Sequence, residues 1–258
     1  MKVLIITDLE GVSGVDRAEM MEGEGYAFAC ERLMADVNAA VGGAFSAGAD
    51  EVEVVDGHCG GKNFVPGVLD KRASQLPVSE FVRMPLWGFD ALLGVGCHAK
   101  AGTEKAFLDH TQSENSWFDY TVNGKSYGEI GQQLICAGVF SVPLVAVCGD
   151  EAACAEAKSL VPGVAVAAVK SAEIRNRARC IPGSEAEELI FKTAADGVRR
   201  YREIAPYKIE TPAELTLTLY RSDYCDYHAA NNPSLKRNGR TLTKTVDSVS
   251  CYADVVVF

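Results

Sequence analysis

The sequence predicts an α/β protein, with a mostly parallel sheet flanked by helices and a smaller C-terminal α+β segment. First, short apolar runs recur at Val3–Ile6, Glu51–Val55, Phe89–Val95, Pro143–Val147 and Val164–Val169. Their length and β-branched content suit strands buried on both faces. Second, segments of helical period lie between several of them, as in right-handed, parallel βαβ units. Third, residues with metal-binding chemistry follow strands directly. Asp8 and Glu10 follow the first, His58 the second and His98 the Phe89–Val95 strand. Such sheets present ligand sites outside the carboxyl ends of their strands.

Gly23 to Ala47 reads as a long helix, with Phe28, Leu33, Val37, Ala40 and Val41 at helical spacing and Gly48 as its stop. Gly60 to Pro77 reads as loop plus a short helix, and Phe81 to Met84 as a weak strand. Trp117 to Asn123 alternates, and Asn123-Gly124 signals a hairpin turn. A helix is expected from Ser126-Tyr-Gly-Glu129 to Phe140, and another from Asp150 to Leu160. Ser184 to Glu187 reads as a capping box opening a helix to about Ile204. Glu214 to Leu219 resembles an antiparallel strand with one wet face. Asn231-Asn232-Pro233 and Asn238-Gly239 mark turns, and Asp247 to Phe258 is strand or helix. A loose boundary near residue 170 separates an α/β metal-binding catalytic part (1–170) from a segment (171–258) that completes the fold or forms a smaller lobe.

At 258 residues and 48% apolar, the chain can bury a large core. Its formal net charge of -10 argues against nucleic acid or an anionic membrane as partner, since both reward clustered Lys and Arg. No apolar stretch approaches the roughly 20 residues that span a bilayer. The N-terminal apolar run is too short for a signal peptide, so a cytoplasmic location is expected. The nine cysteines are odd in number and contain no C-x-x-C pair, which disfavours a disulfide framework.

The first strand brings two carboxylates to an edge that His58 and His98 share. Imidazole and carboxylate together are the donor set of a zinc-type ion, and a carboxylate on a shared edge can bridge two such ions. Two adjacent metals can ionise a water and stabilise charge on an attacked carbonyl or phosphoryl oxygen. Each residue also has a plainer reading. Asp8 and Glu10 are then solvated turn residues, and His58 an exposed turn residue. His98 would donate to a backbone carbonyl, His110 would be a surface histidine, and Glu129 would close a capping box with Ser126. Spacing alone leads to a metal-dependent hydrolase.

The stretches TDLEGVSG, VVDGHCG, GCHAKAGT, LDHT and NGKSYGEIG, in that order, resemble the zinc-dependent D-aminopeptidase family of self-compartmentalising peptidases. The family's S-x-D-x-E-G motif matches residues 6 to 11, with Ile6 in place of its serine. Similarity continues through GDEAA and AAVKSA to about residue 175 and then fades. The resemblance implies a dizinc aminopeptidase releasing N-terminal residues, of D configuration, from short peptides. Asp8 would bridge the two zinc ions, with Glu10, His58, His98 and Glu129 completing their ligands. His110 would be the catalytic residue, in proton transfer or as nucleophile. The resemblance also implies a homo-oligomer, a ring-shaped decamer. The residues alone equally fit a metal-dependent hydrolase of another small amide or a phosphoester, or a non-catalytic binding module on the same fold. Cys59 and Cys97 flank two of the histidines, where a thiolate is a further candidate donor.

Overall fold

A computed structural model describes residues 1–258. It opens with β1 (Lys2–Thr7), α1 (Tyr26–Ser46) and β2 (Glu51–Asp56), and β1 pairs in parallel with β2, as the βαβ reading requires. In α1 the buried Ala29, Leu33, Val37, Ala40, Val41 and Ala44 form the apolar stripe of a helix laid on a sheet. Phe28, expected among them, is 46% exposed. The segment Gly23–Gly25 is a short 3-10 turn rather than part of the helix.

Next come β3 (Ser74–Leu76) and α2 (Val78–Phe81). Both depart from expectation. The loop between Gly60 and Pro77 yields an edge strand rather than a helix. Phe81 lies in a single helical turn, because Pro77 starts that turn and accepts from the amides of Glu80 and Phe81. After β4 (Ala91–Cys97), a hairpin of β5 (Trp117–Val122) and β6 (Lys125–Ser126) turns at Asn123-Gly124, both with positive φ. α3 (Glu129–Val139), β7 (Leu144–Asp150), α4 (Glu151–Leu160), β8 (Ala165–Ile174) and β9 (Arg177–Cys180) follow.

α5 (Gly183–Arg199) starts without the expected Ser184 cap, and Glu187 instead pairs with Arg32 on α1. It also ends sooner than expected. The chain closes with β10 (Ala213–Leu219), α6 (Ser222–Asn231), β11 (Lys236–Asn238), β12 (Thr241–Val246) and α7 (Tyr252–Val256).

The main sheet has the order β3-β2-β1-β4-β7-β8-β9, parallel except for β9. α1 and α5 pack on each other over it. A second, antiparallel sheet runs β11-β12-β10-β5-β6, so strands from the middle and the end of the chain share it. In the main sheet β1 lies between β2 and β4, where the strand order reverses. Loops leaving such adjacent strands diverge and open a crevice at their carboxyl ends. Two glycines let the loops of β1 and β4 approach there. Gly11 donates to Gly96 O at 2.8 Å, and a Cβ on Gly11 would lie 2.0 Å from Cys97 O. Gly96 itself has φ +76, and a Cβ there would lie 2.1 Å from Asp8 O. No helix is long and apolar enough to cross a membrane.

Candidate metal centre

The crevice collects every residue singled out in the sequence. Asp8 and Glu10 leave the end of β1, His58 follows β2, and His98 follows β4. His110 lies in the next loop, and Glu129 is the first residue of α3, where the positive end of the helix favours a carboxylate. Their donor atoms fall into three groups, each within 4.8 Å: Asp8, Glu10 and His58; Asp8, His98 and Glu129; and Glu10, His98 and His110. The first two groups share Asp8. His58 Nε2 is 3.5 Å from Glu10 Oε1, and His98 Nε2 is 3.3 Å from Asp8 Oδ2 and 3.4 Å from Glu129 Oε1. A pocket of about 730 Å³ opens over them, lined also by Glu19, Glu22 and Gln112.

All three histidines are oriented alike. His58 Nδ1 faces Asn63 Oδ1 at 3.1 Å, His98 Nδ1 faces Ala99 O at 3.0 Å, and His110 Nδ1 faces Leu108 O at 2.8 Å. These oxygens can only accept, so each Nδ1 carries the proton and each Nε2 is turned to the carboxylates. The plainer reading of His98 is thus half right, since its backbone bond aims the other nitrogen. The expected Ser126 cap on Glu129 is absent, because Ser126 Oγ donates to Asp119 and α3 has no side-chain cap. Glu129 instead accepts from Gln112 N at 2.7 Å.

Burial and the Glu10 charge push Asp8 up to about 7. Burial also works against ionising Glu10 and Glu129, but the neighbouring histidines outweigh it and hold both below the usual carboxylate range. His58 rises to about 10 despite its burial, through its contact with Glu10. Without a cation, the acidic cluster thus recruits protons onto His58 and onto His98, which, against its burial, Asp8 and Glu129 hold well above its ordinary range. Two buried atoms of the donor groups still lack a hydrogen-bond partner, Glu10 Oε2 and His98 Nε2. Such orphans are costly unless another group satisfies them, and one carboxylate oxygen and one imidazole nitrogen are what a zinc-type ion takes. The residues fit divalent metal. Cys59 and Cys97 do not join the donor groups, and burial pushes the Cys97 thiol well above its ordinary range.

The sequence pattern of the D-aminopeptidase family matches residues 1–257. This chain belongs to the D-aminopeptidase family. It is accordingly a peptide hydrolase, as the five motifs implied. A D-aminopeptidase of Bacillus subtilis (strain 168) is 27% identical over 237 residues, 90% of this chain and 85% of that protein. A solved structure of a Zn-dependent D-aminopeptidase from Bacillus subtilis, described as a self-compartmentalizing protease, matches with a TM-score of 0.92 at 22% identity. That match covers 99% of this chain and 95% of the other, and it is a likeness of fold.

Two residues around this candidate site escaped the sequence reading. Asn63 is buried, accepts from Tyr26 at 2.7 Å and donates through Nδ2 to Asp56 and to His58 O, which fixes the oxygen that orients His58. Gln112 joins the His110 loop to Glu129 and, through its side chain, to Gln132 and Tyr252. A polar residue a few positions beyond a candidate histidine was the available signal for each. The fourth histidine, His228, bonds Phe258 O and lies outside the donor groups.

Proposed function

We propose that the chain is a two-zinc aminopeptidase that removes the N-terminal residue, of D configuration, from short peptides. The observation carrying this reading is the pair of donor groups that share Asp8. Glu10 and His58 would hold one ion and His98 and Glu129 the other, with Asp8 common to both donor groups. Bound there, divalent ions supply Lewis acidity toward a water and toward the peptide carbonyl. Residues 1–170 carry all of these ligands, and 171–258 complete the fold by pairing β10 with β5 and packing α5 on α1.

His110 is assigned as the catalytic proton carrier. Its Nδ1–H is anchored on Leu108 O, so Nε2 is the atom free to take a proton from the attacking water and return it to the leaving amine. Nε2 stands 3.9 Å from Glu10 Oε1 and 3.8 Å from Glu129 Oε1, so it faces the same cluster as the assigned ligands. The ring stacks on His98 with centroids 4.0 Å apart, which limits its rotation.

The deciding experiment combines metal analysis with substrate choice. Purified protein is expected to hold about two zinc ions per chain. It should cleave D-aminoacyl peptide amides faster than L-forms, lose that activity to chelator, and leave p-nitrophenyl phosphate intact. Phosphoester cleavage would redirect the assignment to a phosphatase, and a metal-free chain indifferent to chelator would make it a binding module.

Zinc affinity is expected to rise with pH. A ligand imidazole must be neutral, and His58, held near 10 without metal, gives up a proton on binding throughout pH 6–8. Each displaced proton weakens binding about tenfold for each unit the pH falls, and His98, also held well above its ordinary range by Asp8 and Glu129 against its burial, adds a second. Below about 7, protonation of Asp8 steepens the fall. Competition against a zinc chelator at pH 8, 7 and 6 checks this, and a flat profile would refute it.

The Bacillus subtilis relative is described as self-compartmentalizing. We carry homo-oligomerisation to this chain, as a ring-shaped decamer, together with a cytoplasmic location. Light scattering on the eluted protein tests the subunit number.

A further inference from the structure

Lys170 interrupts the apolar run of β8, and only 3% of it is exposed. A lysine this deep needs a reason, because burial disfavours its charge and removes its water. Its ammonium reaches across to the segment that follows β1, donating to Glu10 O at 2.5 Å and to Val15 O at 2.6 Å. The charge also lies 4.7 Å from the centre of the Phe107 ring. Glu10 and Val15 bracket a turn, so one side chain holds both ends of it.

The same turn is gripped from α1. Ser13 donates from its amide and its hydroxyl to the two oxygens of buried Asp36, at 2.7 and 2.6 Å, and Arg32 donates to Ser13 Oγ at 2.8 Å. From β4, Val95 O and Gly96 O accept from Asp8 N and Gly11 N. The turn carrying Asp8 and Glu10 is thus fastened from α1, β4 and β8, with Cys180 Sγ of β9 also donating to Val15 O at 3.6 Å, and β8 contributes through a single atom, Lys170 Nζ.

We propose that Lys170 is a positioning residue of the metal centre: by binding the carbonyls of Glu10 and Val15 it fixes the backbone from which the Asp8 and Glu10 carboxylates reach their cation. It touches neither substrate nor metal and acts through Glu10. The proposal rests on the ligand assignment above. Outer partners that orient ligands typically change metal affinity by about 10–100-fold when removed.

The test is zinc affinity, measured by chelator competition at pH 7.5 on the full chain, with melting temperature read alongside. Lys170→Met keeps the length and removes the donors, and should stay folded while binding zinc about 10–100-fold more weakly. Lys170→Gln keeps an N–H donor and should fall between Met and the parent. Leu217→Ala, a core truncation in the second sheet, should lower the melting temperature and leave zinc affinity unchanged. Folded Lys170→Met and Lys170→Gln proteins with parental affinity would overturn the proposal. So would an equal loss in Leu217→Ala, or unfolding of both Lys170 variants while Leu217→Ala folds, since Lys170 would then hold the fold rather than the ligands. Glu10→Ala run in parallel separates the two readings. Unchanged affinity there defeats the ligand assignment itself, whereas loss there with parental Lys170 variants defeats only the positioning role.

Discussion

Glu10→Ala is expected to abolish peptidase activity, by on the order of 1,000-fold or more, while leaving the fold intact. The size follows from what a lost ligand removes, several kcal/mol of transition-state stabilisation, with each 1.36 kcal/mol worth about tenfold. The fold should survive because removing Glu10 takes away the buried charge that repels ionised Asp8. His58 would lose the partner that holds its charge, so its pKa should drop toward the ordinary range. Zinc content, peptidase rate and melting temperature on one preparation test all three statements. Full activity would end the site assignment.

His110→Ala is expected to keep its zinc and lose turnover. General acid–base groups are typically worth about 10²–10⁴-fold, and the loss should fall on kcat with KM nearly unchanged. The contrast with Glu10→Ala is the informative part. His110 shares a donor group with Glu10 and His98, so its geometry alone also suits a ligand. Zinc analysis of the variant decides between the roles: retained metal assigns proton transfer, and lost metal makes His110 a ligand.

What was legible in the sequence is what strand ends and periodicity encode. β1, β4 and β7 are apolar because both faces are covered, and such runs read clearly. Since parallel strands point the same way, Asp8, His58 and His98 had to share one edge. Glu129 was ambiguous, because Ser126 offered it a cap, and only the Asp119 partner of Ser126 removes that alternative. The Asn123-Gly124 hairpin and the Glu214–Leu219 strand were legible, but their pairing into a second sheet was not. β5 gains its partner β10 from a strand far along the chain, and no local pattern announces such a pairing. The helix α6 was missed because its polar and aromatic sequence lacks a clear apolar stripe. Asn63 and Lys170 act through backbone and side-chain oxygens of other loops, so their roles appear only when those loops are brought together.

The split origin of the second sheet has a consequence for synthesis. All the assigned ligands have been synthesised once Glu129 is made, but β5, beside the His110 loop, must wait for residues 213–219 before it is sheathed. Gln112, bonded to Glu129, waits longer still, for Tyr252. Contacts this distant in sequence form late in folding. A nascent chain therefore carries its assigned ligands well before the contacts from residues 213–219 and Tyr252 can brace them.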